Sequence, residues 1–141
     1  MIERVYTVDG GYIDYDSSIP GFISAVKGYM PSAEFRPFMM KGLDLLTEKI
    51  AVHGKVAWIA DIRKTEIYDQ EDIEWTVMNW NTKVYSIGLR YMAMVMPESA
   101  FASVNVDEYM VEREKKSDTL IIKQFGDLEI AKKWFTDMLA Q

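Results

Sequence analysis

Near the start of the chain, apolar residues alternate with charged residues, as is typical of β-strands with one buried face. Residues 2–8 and 12–15 are short β-rich runs separated by the turn signal Asp9-Gly10-Gly11. This spacing predicts an antiparallel hairpin. A further apolar run, residues 22–26, follows the turn residues Pro20 and Gly21 and predicts a third strand.

Between Ser32 and about Val52 the apolar period changes to three and four residues, which predicts a helix with one buried face. The positions that form this stripe are Phe35, Phe38, Met39, Leu43, Leu46 and Ile50. If Ser32 is the N-cap, Pro37 falls near the second turn, where its missing N–H and its ring are costly. We therefore expect the regular helix to begin around Arg36.

Beyond this helix, strand and helix patterns alternate three times. Residues 56–60 and 91–96 are continuously apolar, as expected of strands that helices cover on both faces, and residues 120–125 supply a last strand. Asp69, Ser99 and Asp127 precede apolar stripes of helical period and are residue types that cap helices. The predicted order is βββαβαβαβα, an α/β domain over residues 1–141 with a mixed sheet, antiparallel N-terminal strands and right-handed crossovers.

Composition and charge narrow the classes of function. The net charge of −6 repels nucleic acid and anionic membranes. No stretch approaches the roughly 20 apolar residues of a membrane span, and the start lacks the apolar run of a signal peptide, so we expect a cytoplasmic protein. The absence of cysteine excludes disulfides, thiol nucleophiles and thiolate metal sites.

Several segments together resemble small bacterial proteins of the SpoIIAA-like, or STAS-like, fold. These segments are KGY (27–29), SAEFR (32–36), WIADIRK (58–64), EW (74–75), NW (79–80) and VMPES (95–99). This is the fold of anti-sigma-factor antagonists and of the cytoplasmic domains of sulfate transporters. The resemblance implies a protein-binding module and no chemical reaction.

In some members of that family, phosphorylation of a serine at the start of the helix after a central strand switches binding. This chain departs from the pattern, since residues 61–66 read DIRKTE and contain no Asp-Ser-Ser-Gly-like turn. Thr65 precedes the expected cap Asp69 by four residues and is a poor substitute. The phosphorylation switch is therefore not carried over to this chain.

The carboxyl ends of the predicted parallel strands present Asp61, Arg63 and Ser99, and the first helix adds Arg36. Ligands bind at such strand ends in open α/β sheets, so these four residues are the candidate ligand-binding site. In the alternative interpretation Asp61 pairs with Arg63 or Arg36, and Ser99 only caps a helix.

The four tryptophans and ten methionines either fill the core, line a ligand cavity or form an exposed docking face. Trp58 falls in a central strand and Trp80 on an apolar stripe, so core packing is expected for both. Trp75 lies off that stripe by about two residues. We therefore expect Trp75 to be an exposed aromatic that contacts a protein partner.

His53 is the only histidine, and the chain contains no H-E-x-x-H spacing and no glycine-rich phosphate loop. The sequence therefore predicts no enzyme, no cofactor and no metal site. It favours a non-catalytic interaction or regulatory module that acts through a partner protein or as a homo-oligomer. The alternative is a carrier or sensor of a small apolar or amphipathic ligand, held in an enclosed cavity with Arg36 or Arg63 at its mouth.

Overall fold

The computed structural model describes residues 1–116 and 120–140. The strands of this part are β1 (Ile2–Val8), β2 (Gly11–Asp16), β3 (Gly21–Val26), β4 (Gly28–Tyr29), β5 (Ala57–Asp61), β6 (Thr65–Ile67), β7 (Tyr91–Val95) and β8 (Ile121–Phe125). The α-helices are α1 (Ser32–His53), α2 (Gln70–Trp75), α3 (Asn81–Ser86), α4 (Ala100–Glu114) and α5 (Leu128–Leu139). A π-helical segment (Thr76–Trp80) joins α2 to α3.

The larger sheet has the strand order β1-β2-β3-β5-β7-β8. The first three strands pair antiparallel, whereas β3, β5, β7 and β8 pair parallel. Each crossover moves one strand further in the same direction, so right-handed connections place their helices on the same face of the sheet. The predicted α/β class and the antiparallel N-terminal strands are confirmed.

Alternating side chains of the central strands separate two apolar layers. Phe22, Trp58 and Met92 point into the layer that the sheet shares with α1 and α3. Ile23 and Ile59 point the opposite way and pack under α5. The last helix therefore covers the face of the sheet that the earlier helices leave open.

Helix α1 begins at Ser32, with Pro31 as its N-cap, so the expected start around Arg36 is wrong. Pro37 lies inside the helix, and both Pro37 and Ala33 are exposed. The carbonyl of Ala33, which loses its intrahelical donor at Pro37, is thus open to water, and this reduces the cost of the proline.

The second predicted helix is divided into α2, the π-helical segment and α3. The N–H of Asn81 donates to the carbonyl of Thr76, the i to i−5 bond of a π turn. Asp69 precedes α2 but makes no capping bond; its carboxylate accepts from the Tyr29 hydroxyl at 2.7 Å. Ser99 and Asp127 do cap α4 and α5 through their side chains, as predicted.

The short strands β4 and β6 form a separate two-stranded parallel sheet that the hydrophobic pattern did not predict. Strands of two and three residues are too short to show a period. Their position matters for the site, because they join the start of α1 to the start of α2.

Gly42 lies where α1 crosses Trp58, and a Cβ there would come 2.5 Å from Cη2 of the indole. Trp58 cannot easily move, because its ring packs against Trp80 and Phe22. We expect Gly42→Ala to lower the free energy of unfolding by about 1–3 kcal/mol, although the same change in an exposed helix interior stabilises by about 1 kcal/mol. Urea unfolding measures this free energy. The loss caused by Gly42→Ala should be smaller in a protein that also carries Trp58→Phe, because the smaller ring leaves room for the new methyl group. A Gly42→Ala variant that is more stable than the original chain would contradict the close contact.

Candidate functional site

A cavity of about 90 Å³ lies between the larger sheet and the helices α1, α2 and α4. Aromatic rings form much of its wall, and methionines add flexible apolar surface. The aromatic residues that line it are Phe35, Trp58, Tyr68, Trp80 and Tyr109, and the methionines are Met39, Met92 and Met94.

Asp72 is the charged residue in the cavity wall, and it is only 1% exposed. Its Oδ1 accepts hydrogen bonds from the Ser32 hydroxyl at 2.8 Å and from Nε of Arg36 at 3.0 Å. Its Oδ2 has no hydrogen-bond partner among the described residues. A buried acceptor without a donor costs about 1–3 kcal/mol, so this carboxylate oxygen is the candidate binding group in a mostly apolar cavity.

The spacing of residues along this helical region places Asp72 on its inward face. Residues four apart lie close to one face of a helix, in an α turn as in the wider π turn. Asp72, Thr76 and Trp80 have this spacing, and all three line the cavity. The Thr76 hydroxyl also donates to the carbonyl of Asp72 at 2.7 Å, which holds the start of the segment in place.

Two further polar residues of the wall are already bonded. The Oδ1 of Asn105 accepts from the backbone N–H of Tyr68 at 2.8 Å, and the hydroxyl of Tyr109 accepts from Nδ2 of Asn81, which lies outside the wall, at 2.7 Å. Burial raises the pKa of Tyr68 to about 12, although a hydrogen bond with Thr65 opposes this shift. The Tyr68 hydroxyl therefore stays protonated at neutral pH.

The structure does not bring the four predicted ligand-binding residues together. Arg63 forms a two-contact ion pair with Asp61, at 2.8 and 2.9 Å, which raises the pKa of Arg63. Ser99 caps α4 and donates to the carbonyl of Glu66 at 2.7 Å. Arg36 pairs with Asp72 instead. Each of these polar groups is thus bonded within the fold, and ligand binding at these four residues stays a prediction.

Asp61 and Arg63 line a surface groove of about 570 Å³ beside the β1–β2 turn. Lys64 and Glu98, which also line it, form a second ion pair at 2.9 Å. Opposite charges that pair with each other create little net field, so this groove shows no preference for an anion or a cation.

Trp75 is half-buried rather than part of an exposed apolar patch, which corrects the expectation for this residue. Its ring packs edge-on against Phe35 with centroids 6.4 Å apart, and the guanidinium of Arg36 lies 5.4 Å from its centre. The expectation assumed one regular helix over this region and did not include contacts with α1.

Other exposed apolar side chains lie on β4, β6 and α4. Phe101 is 72% exposed and Val104 57%, one turn apart on α4. Tyr29 and Ile67, also exposed, are paired between β4 and β6. The bond from Ser99 to Glu66 attaches the start of α4 to β6, so we call these four residues the apolar strip.

Comparison of the chain with protein-family models, with curated proteins and with solved structures finds no match in any of the three. Within residues 1–116 and 120–140, no cluster of three histidine or acidic side chains is placed to hold a metal ion. None of the helices in the described part of the chain is both long and apolar enough to cross a membrane.

Proposed function

We propose that the chain is a non-catalytic interaction module of STAS-like fold that binds a partner protein in the cytoplasm through the apolar strip. Support for this fold comes from the resemblance of the sequence and from the mixed sheet with its antiparallel N-terminal strands. A fold does not by itself determine a function, so support for the binding role comes from the exposed surface.

The exposure of Phe101 is the observation that carries the proposal. A phenylalanine that is 72% exposed, with Val104 beside it, places a large apolar area in water without any contribution to the core. Contiguous exposed apolar residues with an aromatic among them are characteristic of protein interfaces. Phe101 is therefore the expected anchor of the interface.

Charges near the apolar strip indicate the chemistry of the partner. Glu66 and Asp107 are exposed, and they lie one and three residues from Ile67 and Val104 in the sequence. The whole chain carries a net charge of −6. Such an acidic rim favours a partner whose apolar contact surface is surrounded by lysine or arginine, and it disfavours a second copy of the same face.

Thr65 supports a module without the phosphorylation switch of the STAS family. This threonine is 1% exposed, and its hydroxyl donates to the carbonyl of Val26 at 2.6 Å. A kinase cannot reach a buried hydroxyl that is already bonded within the fold. Regulation by phosphate at this position is therefore not part of the proposal.

The test compares Phe101→Ser with Val52→Ser. Val52 is an apolar residue that is 78% exposed, and it lies at the C-terminal end of α1, whereas the apolar strip lies near the start of that helix. A photo-crosslinking residue at position 101 or 52 first identifies the partner in cells of the host. The affinity of the purified pair is then measured by titration calorimetry. We expect Phe101→Ser to weaken binding by about 30-fold or more, and Val52→Ser to leave it unchanged.

Both variants should unfold at the temperature of the original chain, because neither side chain is part of the core. Affinity should also fall as salt is raised, since the acidic rim contributes to association. Equal crosslinking from positions 52 and 101, or equal affinity of the two serine variants, would show that the apolar strip is not the interface.

A second candidate, a sensor or carrier of a small ligand, is favoured by the cavity and by the unpartnered oxygen of Asp72. At about 90 Å³ the cavity is smaller than the roughly 150 Å³ that accommodates benzene in an engineered protein core. It is also well below the few hundred cubic ångströms of pockets for drug-sized ligands. The volume of this cavity thus favours very small molecules.

A further inference from the structure

The polarity of the cavity defines what its occupant must offer. Most of the wall is apolar, and the unpartnered acceptor in it is Oδ2 of Asp72. An occupant without a donor leaves this oxygen unsatisfied, whereas an O–H or N–H group bonds to it. A hydrogen bond to a charged acceptor is among the stronger ones in proteins, so a donor should bind preferentially.

The charge around Asp72 excludes ionic occupants. Arg36 already neutralises Asp72 through Oδ1, and among the described residues no other charged side chain lines the cavity. A cationic occupant would therefore leave one net positive charge buried, which is strongly unfavourable. An anionic occupant would meet the carboxylate itself. The remaining class is a neutral molecule with a donor at one end and an apolar body.

The volume of the cavity indicates the size of that molecule. Comparison of about 90 Å³ with the roughly 150 Å³ that holds the six carbons of benzene gives room for about four non-hydrogen atoms. Met39, Met92 and Met94 line the space, and their flexible side chains can adapt to the shape of an occupant.

We infer that the cavity is a binding site for a small neutral alcohol or similar donor, which gives its hydrogen bond to Oδ2 of Asp72 and packs its carbon atoms against Trp58 and Trp80. This inference rests on the second candidate function, and it adds the chemical class of the ligand and the residue that recognises it. Arg36 and Ser32 act as positioning residues, because they hold Oδ1 and leave Oδ2 for the ligand.

The first experiment compares four probes with the same number of non-hydrogen atoms: 2-propanol, acetone, isopropylammonium and acetate. Only 2-propanol is a neutral donor. The indole N–H signals of the four tryptophans are followed by NMR during titrations from about 0.1 to 100 mM, because a ligand of this size binds with a Kd no tighter than about 0.04 mM. Trp58 and Trp80 line the cavity whereas Trp75 and Trp134 do not, so they supply reporter and control signals in one sample.

We expect 2-propanol to shift the signals of Trp58 and Trp80 and to bind at least about tenfold more tightly than acetone. The two ionic probes should not shift them. Acetone or isopropylammonium binding as tightly as 2-propanol overturns the inference but leaves the cavity as a ligand site. If none of the four probes shifts these two signals, the inference and the second candidate function both fail.

Asp72→Asn tests the recognising atom directly. The amide oxygen can keep the bonds from Ser32 and Arg36, and the amide nitrogen then replaces Oδ2 as a donor toward the cavity. Both 2-propanol and acetone can accept a hydrogen bond from this nitrogen. We therefore expect the roughly tenfold preference for 2-propanol over acetone to disappear, so that the two bind with about equal Kd. An unchanged preference would show that Oδ2 does not bind the alcohol.

Val106→Phe tests the location, since Val106 lines the cavity and is 3% exposed. The larger ring should fill the space and abolish the shifts of Trp58 and Trp80 in a protein whose NMR spectrum remains that of a folded chain. Shifts that persist in this variant would place the probe on the surface and overturn the inference. The comparison of probes in the original chain decides the ligand class even if a variant fails to fold.

Discussion

Replacement of Trp80 by alanine is expected to lower the free energy of unfolding by about 4–5 kcal/mol, near the upper end for the loss of a buried aromatic residue. Trp80 is 1% exposed, and its ring centroid lies 5.1 Å from that of Trp58. Its indole N–H also donates to the carbonyl of Met39 at 2.7 Å, which ties the π-helical segment to α1. The variant thus loses packing, an aromatic contact and a hydrogen bond together.

Urea unfolding at neutral pH measures this loss, with Trp75→Ala as the matched control. Trp75 is half-buried, so its removal should cost only about 1–2 kcal/mol. Trp80→Phe keeps an aromatic ring and should cost less than Trp80→Ala. A loss below about 2 kcal/mol for Trp80→Ala would mean that the segment repacks, and the tie to α1 would then be unimportant for stability.

The strands and the buried faces of the long helices could be predicted from the sequence, because each produces a regular repeat of apolar residues within a short stretch of chain. Trp80 lies on a stripe of helical period, and Trp58 lies in a continuously apolar run, so both were expected in the core. Ser99 and Asp127 were recognised as caps because the side-chain bond of an N-cap involves only the next two or three residues. Such features need no knowledge of distant contacts.

The π turn and the role of Asp72 were not predicted, because both depend on packing between elements far apart in sequence. Acidic residues in the first turn of a helix ordinarily complement the helix dipole. Asp72 was interpreted in this way, so its position in the wall of a cavity was missed. A signal was present, since Asp72, Thr76, Trp80 and Val84 repeat at a spacing of four residues on the inward side. A stripe that begins with a carboxylate indicates a buried polar group.

The choice of ion-pair partners explains why the predicted pocket did not form. Arg36 of the first helix was grouped with Asp61 at a strand end, yet Nε of Arg36 lies 3.0 Å from Oδ1 of Asp72. Asp61 has Arg63 two residues away in the chain and bonds to it. Sequence shows which charges exist, whereas their pairing is set by helix positions that only the three-dimensional structure provides.

The second large effect is expected at Lys132, which joins α5 to the end of β2. Its Nζ lies 3.1 Å from Oδ2 of Asp16, and the two side chains are 14% and 4% exposed. Lys132→Met removes the cation and leaves the buried carboxylate with the two bonds from Ser18. We expect a loss of about 2–4 kcal/mol, because breaking a buried ion pair leaves an uncompensated charge.

Lys133→Met is the matched control, since Lys133 neighbours Lys132 on the same helix and is exposed, and it should change stability by less than about 0.5 kcal/mol. Combining Lys132→Met with Asp16→Asn should restore part of the loss, because the uncompensated charge is then removed as well. If the single Lys132→Met variant is as stable as the Lys133→Met control, the ion pair between α5 and β2 contributes nothing to the fold.

The pH dependence of Lys132→Met provides an independent check on the same ion pair. Burial raises the pKa of Asp16, but the bonds from Ser18 and Lys132 outweigh it and hold this pKa below its usual value. Asp16 therefore stabilises the original chain above about pH 4, and that contribution is lost as the pH falls through the lowered pKa. Without Lys132 the effect of burial is less opposed, so the pKa of Asp16 rises and acid removes less stability. Urea unfolding at about pH 7, 5 and 3 should thus show that the free energies of unfolding of the original chain and of Lys132→Met converge toward low pH. A difference that stays constant with pH would mean that Lys132 acts through packing rather than through its charge.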